Sequence, residues 1–314
     1  MHLIELTEED RELGLLLRFI IEGSGVRGAL VCLGEAWRQI ASRSDYPPSL
    51  RELLGQTVVA AALFGGHSKI DGRLSIQLKG QGALRTLFAE YASTGRLRGI
   101  AMWREPLPEQ LSPRDFGDAA LLAISIETVP PGADEPTRYQ GLVGLDSDRL
   151  EHAFEGYFAQ SEQLPTRLLL AADGNRAAGL LIQQLPAQAG TSPAAMAQRD
   201  SDGWARAQAL FETLASSELL NTEAETLLLR LFHEDGVLLL GAQPLRFGCS
   251  CSRERVASVL LQLGHEEALL AAGSQDDGVA EIACEMCAER YRFDRVDLEQ
   301  LFAGGGTEMI AGQH

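Results

Sequence analysis

Four cysteines in the last quarter of the chain are the residues best suited to chemistry. They form two close pairs, Cys249 with Cys251 and Cys284 with Cys287, and 32 residues lie between the pairs. Four thiolates make up a tetrahedral structural zinc site. Each pair can also close on itself as a disulfide. Zinc-bound thiolates are already deprotonated and can therefore still be oxidised. The spacing therefore predicts a site for one Zn²⁺ per chain, and it leaves open whether the cysteines are structural, redox-active or both.

The unit that carries these cysteines is small. It covers residues 243–302, where "SRERVASVLLQLG" predicts a helix, "GVAEIA" a strand and "DRVDLEQLF" a closing helix. A unit of about sixty residues buries little apolar surface, and zinc binding typically contributes roughly 10–16 kcal/mol to folding. Two disulfides would consume all four ligands and remove that stabiliser. The cluster is therefore a candidate redox switch as well as a structural site.

The residues that follow Cys251 favour a reactive thiolate. A helix is predicted to start at Ser252, where the helix dipole favours negative charge, and Arg253 and Arg255 lie close by in the sequence. The fifth cysteine, Cys32, lies on a predicted strand in "LVCLGE" and is expected to be a buried small hydrophobic residue.

Residues 1–185 predict a mixed α/β domain with a mainly antiparallel sheet. "DYPPSLRELLGQTVVAAALFG" predicts a long helix that ends at Gly65 and Gly66. "GRLSIQLKGQG", "RGIAMW", "LLAISIETV" and "RYQGLVGL" predict strands bounded by glycine, proline or charge. Because predicted strands often follow one another directly, the pattern favours the α+β class over a doubly wound parallel sheet.

Residues 186–242 predict a flexible and helical linker region. It begins with "PAQAGTSPAAMAQRDSDG", a composition typical of flexible segments. In the next helix, Trp204, Phe211 and Leu214 form an apolar stripe, which either docks on a neighbour or binds other proteins when exposed. Thr222 and Glu225 have the spacing of a capping box at the start of a second helix. Residues 303–314 predict a disordered tail.

The charge of the chain limits its partners. A formal net charge of −17 repels phosphate backbones, which argues against nucleic-acid binding. No apolar run approaches the roughly 20 residues needed to cross a bilayer. The first residues are acidic and lack the basic region of a secretory signal. We therefore expect a cytoplasmic protein without nucleic-acid or membrane partners.

Two alternatives to a redox switch remain at this point. The Cys284-x-x-Cys287 motif alone would suit a thiol–disulfide oxidoreductase, although it falls between predicted short strands and not at the start of a helix. The unit could instead be a zinc-ribbon interaction module with structural cysteines. That reading assigns no function to residues 1–185.

The motifs "CSCSRERV", "CEMC" and "RYRF" resemble the redox-switch domain of the thirty-three-kilodalton chaperonin family, the oxidation-activated heat-shock holdases. The resemblance continues through "GVRGALV", "LSIQLKGQG", "YFAQSEQLPTRL" and "ELLNTEAETLLLRLFHE", in the family's order. One departure is Ala288, where relatives often have Gly or Asn suited to a left-handed turn, so strain is expected there.

The resemblance implies a redox-regulated, ATP-independent chaperone that is not an enzyme. In the reduced, inactive protein, the four cysteines would bind one Zn²⁺. On oxidation Cys249 would pair with Cys251 and Cys284 with Cys287, the metal would be released, and the linker would loosen. Apolar surface would then bind unfolding client proteins, and the active form would be a homodimer. Residues 1–185 would supply client binding and dimerisation.

Overall fold

The computed structural model describes residues 7–67, 70–129, 136–145, 147–186, 202–273 and 279–305. The chain divides into two compact units, residues 1–248 and residues 249–314. Most of the composition-biased segment that begins the predicted linker, and most of the predicted tail, lie outside the described residues. No helix among those described is both long and apolar enough to cross a bilayer.

The first unit contains two β-sheets and seven described α-helices. The strands are β1 (Gly14–Ile21), β2 (Val26–Leu33), β3 (Gly72–Lys79), β4 (Leu84–Ala92), β5 (Arg96–Trp103), β6 (Leu121–Thr128), β7 (Thr137–Gly144), β8 (Thr166–Ala172), β9 (Ala177–Gln184), β10 (Val237–Pro244) and β11 (Arg246–Phe247). The helices are α1 (Glu8–Leu13), α2 (Glu35–Ala41), α3 (Pro48–His67), α4 (Leu150–Ser161), α5 (Gly203–Glu212), α6 (Ser216–Asn221) and α7 (Ala224–Phe232), with a 3-10 helix at Pro113–Phe116.

The first sheet has the strand order β10-β1-β2-β9-β8, and the second has the order β11-β5-β4-β3-β6-β7. Every described pairing in these sheets is antiparallel except that of β11 with β5. The predicted α+β class with mainly antiparallel pairing is therefore confirmed, but the strands form two sheets and not one.

Helix α3 lies between the two sheets and forms the centre of the first core cluster. The predicted helix is confirmed and ends at His67, one residue beyond the two glycines at which the sequence predicted its end. A Cβ at Gly65 would lie 2.1 Å from the ring of Tyr91 on β4, and one at Gly66 would lie 2.0 Å from Leu16 on β1. The glycines are needed for close packing against a strand of each sheet.

Helices α5, α6 and α7 pack on the other face of the first sheet and form a second core cluster with it. The rings of Phe19 on β1 and Phe232 on α7 lie 6.1 Å apart. Strand β10, whose first six residues lie in the predicted linker region, pairs with β1 along its length. The described part of this region is thus folded onto the first unit, where burial of its apolar faces stabilises short helices that would be marginal alone.

The predicted capping box at the start of α7 is absent from the described contacts. The helix begins at Ala224, and its N-cap residue Glu223 makes no side-chain capping bond. The carboxylate of Glu225 instead accepts a 2.7 Å hydrogen bond from Arg11 of α1. A long-range ion pair therefore replaces the local reciprocal bonds that the spacing suggested.

In its described residues, 249–273 and 279–305, the second unit has three helices and one hairpin. They are α8 (Arg253–Leu263), α9 (His265–Gly273), β12 (Ala280–Ala283), β13 (Arg290–Phe293) and α10 (Arg295–Gly305). The predicted helices at α8 and α10 and the predicted strand at β12 are confirmed, while α9 was not predicted. A third core cluster holds this unit together, with five buried apolar side chains: Leu260, Ala268, Ala280, Phe293 and Leu298.

Candidate metal centre

The structure brings the sulfur atoms of Cys249, Cys251, Cys284 and Cys287 within 4.8 Å of one another. The Sγ atoms of Cys249 and Cys284 lie 3.8 Å apart, and those of Cys251 and Cys287 lie 3.3 Å apart. A tetrahedral zinc ion with Zn–S bonds of about 2.3 Å separates its sulfur ligands by about 3.8 Å. The four cysteines could therefore bind a metal ion, and the all-sulfur donor set fits zinc.

The first cysteine pair is fixed by the start of α8. Ser252 is the N-cap residue of that helix, and its hydroxyl accepts a 3.3 Å hydrogen bond from the backbone N–H of Arg255. The Arg255 guanidinium donates a 2.6 Å hydrogen bond to the carbonyl of Ser250, between the two cysteines. The loop that carries Cys249 and Cys251 is thus held by the first turn of the helix that follows it.

The second pair lies in the turn that joins β12 to β13. The backbone N–H of Cys284 donates to the carbonyl of Glu289 at 2.8 Å, and that of Ala288 donates to the carbonyl of Cys284 at 2.8 Å. Ala288 has a φ of 55°, as its position in the turn led us to expect. A left-handed conformation costs an L-residue roughly 1–2 kcal/mol, so this turn is strained.

The environment of the sulfurs is partly apolar. Cys287 is buried, and the other three cysteines are partly buried. Burial raises the pKa of the Cys251 and Cys287 thiols. A cation bound among the thiols would hold them as thiolates. The four groups therefore suit a site that is completed by a bound metal.

Tyr291 contacts the cluster, and sequence reasoning did not single it out. Its hydroxyl donates a 3.1 Å hydrogen bond to the sulfur of Cys251, and this bond is the main cause of its raised pKa. The only signal in the sequence was its place in "RYRF", on the strand after the second cysteine pair. Donors that bind a metal's ligands orient those ligands and adjust their basicity.

The two arginines expected beside the Cys251 thiolate are directed to other partners. Arg253 stacks 4.2 Å from the ring centre of Phe293 and donates to the carboxylate of Asp297 at 2.8 Å. Arg255 binds the backbone carbonyl of Ser250. Both side chains stabilise the fold around the site.

Two other sequence candidates lie in the first unit. Cys32 packs against the second core cluster, and burial raises the pKa of its thiol to about 12, which agrees with a structural role. In the apolar stripe of α5, Phe211 and Leu214 are buried, and Trp204 packs beside them. This stripe is therefore docked on the first sheet in the structure.

Comparisons with known proteins identify the family. Residues 14–294 match the family model described as "Hsp33 protein". The chain is 42% identical over 292 residues to the "33 kDa chaperonin" of Ectopseudomonas mendocina, which covers 93% of this chain and 96% of that protein. It is also 42% identical over 292 residues to the "33 kDa chaperonin" of Pseudomonas savastanoi pv. phaseolicola, covering 93% of this chain and 94% of that protein.

A solved structure shares the fold. The crystal structure of the 33 kDa chaperonin (heat shock protein 33 homologue) from Thermotoga maritima matches 95% of this chain and 100% of its own, with a TM-score of 0.75 at 21% identity. Together, the family model, the relatives and the fold show that this chain belongs to the Hsp33 family of 33 kDa chaperonins.

Proposed function

We propose that this protein is an ATP-independent holdase that is at rest when reduced and becomes active when its cysteine cluster is oxidised. The observation that carries the proposal is the convergence of the four sulfurs in a unit whose core cluster, among the described residues, has five buried apolar side chains. So small a core depends on an added stabiliser, and the cysteines are the residues that can hold one. Any chemistry that removes the thiolates therefore weakens the fold of the second unit.

In the reduced state, Cys249, Cys251, Cys284 and Cys287 would bind one zinc ion per chain. Bound zinc would keep the thiolates deprotonated and tie the α8 loop to the hairpin turn. Tyr291 would orient the sulfur of Cys251 through its hydrogen bond. The residues that hold the site thus also hold the unit together.

Oxidation would convert the four thiolates into two disulfides, Cys249–Cys251 and Cys284–Cys287. Each pair of thiolates gives up two electrons as its S–S bond forms, and these electrons reduce one peroxide to two water molecules, so two equivalents of peroxide would be consumed for each cluster oxidised. The disulfide sulfurs no longer serve as thiolate ligands for zinc. The second unit would then lose its main stabiliser and open at least locally.

The loosening would pass along the chain to residues 202–248. The chain runs from β10 through the two-residue strand β11 directly into Cys249. Helices α5, α6 and α7 cover the first sheet through the second core cluster, and their release would uncover an apolar sheet face. An uncovered face of this kind binds the apolar segments of unfolding proteins. We assign client binding and dimerisation to the domain of residues 1–185, and gating to the linker region 186–242 and the zinc domain 243–302.

The proposal makes the protein a cytoplasmic binding protein without turnover. An oxidoreductase is less well supported, because Cys284 and Cys287 lie in a hairpin turn and not at a helix N-terminus, where a dipole would activate the first cysteine.

Light scattering from an unfolding, aggregation-prone client tests the function. The client is mixed with protein pretreated either with reductant and zinc or with peroxide under mild heat. We expect only the oxidised protein to suppress aggregation. Suppression by both samples would make the cysteines purely structural, and suppression by neither would contradict the holdase.

A further inference from the structure

Tyr291 connects the two cysteine segments of the second unit. It lies on β13, where it pairs with Ile282 of β12, and its ring packs against the third core cluster. Its hydroxyl donates the 3.1 Å hydrogen bond to the sulfur of Cys251, a residue 40 positions earlier in the chain. A side chain of the hairpin therefore contacts a sulfur that is carried by the loop before α8.

The hairpin holds the ring of Tyr291 in place. Successive side chains of a strand point to opposite faces, so Arg290 and Arg292 lie on the face away from Tyr291. Both arginines are exposed and form ion pairs with Glu281 of β12, at 2.6 and 3.3 Å. Tyr291 is partly buried, and Phe293, two residues later on the same face, is buried in the third core cluster. The inner face of β13 thus directs the hydroxyl towards the cysteines.

The sulfur that accepts the bond is also held in place. Arg253, two residues after Cys251, donates a 2.6 Å hydrogen bond to the backbone carbonyl of Arg292. This bond ties the first turn of α8 to β13, the strand that carries Tyr291. The hydroxyl and the sulfur therefore meet between two segments that are fixed to each other, and their hydrogen bond belongs to the folded unit.

A hydrogen bond to a thiolate lowers the electron density on its sulfur. Donors of this kind adjust the basicity of a metal's ligands, and the nucleophilicity of a thiolate falls with its basicity. In the zinc-loaded protein the sulfur of Cys251 is already a thiolate, so the bond from Tyr291 cannot increase the amount of thiolate. Its effect is to make the sulfur a weaker nucleophile towards an oxidant.

The step affected is the attack of the Cys251 sulfur on peroxide. An electron pair of the sulfur forms an S–O bond, the O–O bond breaks, and hydroxide leaves and takes up a proton from the solvent. The Cys249 thiolate then attacks the sulfur of the resulting sulfenic acid and displaces a second hydroxide as the disulfide forms. Two electrons pass from the two sulfurs to one peroxide.

We propose that Tyr291 sets the rate at which the cysteine cluster reacts with peroxide, because its hydrogen bond protects the Cys251 thiolate in the reduced protein. Tyr291 is a positioning residue, since it acts through the sulfur that it contacts. The inference rests on the proposed redox switch and names the side chain that keeps the reduced site resistant to low peroxide.

The variant Tyr291→Phe tests the proposal, because it removes the hydroxyl and keeps the ring. The zinc-loaded full chain is mixed with low peroxide, and the remaining thiols are alkylated at short times and counted by mass spectrometry. Trypsin separates the two pairs, since cleavage after Arg246 and Arg253 leaves Cys249 and Cys251 in the peptide 247–253. We expect the variant to lose the thiols of this peptide about two- to tenfold faster than the wild type in the initial phase.

A spectroscopic signature distinguishes protection of the sulfur from a purely structural role. When Co²⁺ is bound in place of zinc, the energies of the sulfur-to-cobalt charge-transfer bands depend on the electron density on the thiolates. We expect these bands to move to lower energy in Tyr291→Phe, while one cobalt still binds per chain. The control Tyr139→Phe removes a hydroxyl from an exposed side chain of β7 and should change neither the bands nor the oxidation rate.

Three results would overturn the inference. They are oxidation of the 247–253 peptide no faster in Tyr291→Phe than in Tyr139→Phe, cobalt bands that do not move, and loss of the metal from Tyr291→Phe before any oxidant is added. Faster thiol oxidation in Tyr291→Phe would support the inference even if the oxidised wild type failed to suppress client aggregation. That failure would contradict the proposed switch alone.

Discussion

Truncating Phe232 to alanine should release the helices of the linker region. Its side chain is fully buried, lies 6.1 Å from the ring of Phe19 and belongs to the second core cluster. Buried Phe→Ala changes cost about 3–5 kcal/mol. Helices α6 and α7 have six and nine residues, so they are not stable without this packing. The loss should therefore appear as undocking of α5, α6 and α7.

The size of the effect follows from that energy. A loss of 3–5 kcal/mol raises the population of the undocked state by roughly two to four powers of ten. Hydrogen exchange of amides in residues 224–232 should accelerate accordingly. The uncovered face of the first sheet should also let the reduced variant suppress client aggregation without oxidant, in the light-scattering assay described above.

Leu229→Ala is the matched control, since that side chain lies on the same helix and is 60% exposed. It should change the free energy of unfolding by no more than about 0.5 kcal/mol. Exchange rates in Phe232→Ala no faster than in this control would refute the claim that packing on the first sheet holds the helices. Fast exchange without any holdase activity of the reduced variant would instead show that the covered face is not the client-binding surface.

Three further changes should have distinct outcomes. Cys287→Ser should abolish stoichiometric zinc and open residues 249–305 to proteolysis without oxidant, whereas Cys32→Ser should keep the metal; zinc retained by the first variant would remove Cys287 from the ligand set. Ala288→Gly relieves a φ of 55° and should raise the thermal or urea stability of the second unit by about 0.5–1 kcal/mol; a loss of stability would contradict the strain. Burial lowers the pKa of His67 to about 4, so the native state resists its protonation and stability falls as the pH drops from 6.5 to 4. Between pH 7 and pH 4, the free energy of unfolding of His67→Gln should therefore fall by about 3 kcal/mol less than that of the wild type, as urea unfolding at the two pH values can measure. An equal fall in both proteins would exclude His67 as the source of the pH dependence.

The cysteine site was predictable because its signal is local. Two pairs of one residue type at short spacing single out the candidate ligands without knowledge of the fold, and the turn that carries the second pair lies between strands readable from alternation. The strain at Ala288 was expected from the resemblance, since relatives often have Gly or Asn at this position, and its φ of 55° agrees with that expectation.

The features that were missed depend on distant partners. Gly65 and Gly66 looked like a helix end, and only the strands on either side of α3 show that they serve packing. Strand β10 reads as part of a linker until its pairing with β1 is seen. Glu225 has capping-box spacing, but its carboxylate accepts a hydrogen bond from Arg11, which lies more than two hundred residues away in the sequence. Tertiary contacts override local preference at these positions.

The most direct test of the proposed switch is to count bound zinc and map disulfides in one sample, before and after peroxide treatment that turns on aggregation suppression. The account predicts one zinc per chain and four free thiols in the cluster before treatment. Afterwards it predicts no zinc and the disulfides Cys249–Cys251 and Cys284–Cys287. Full holdase activity in a sample that retains its zinc and its thiols would contradict the account.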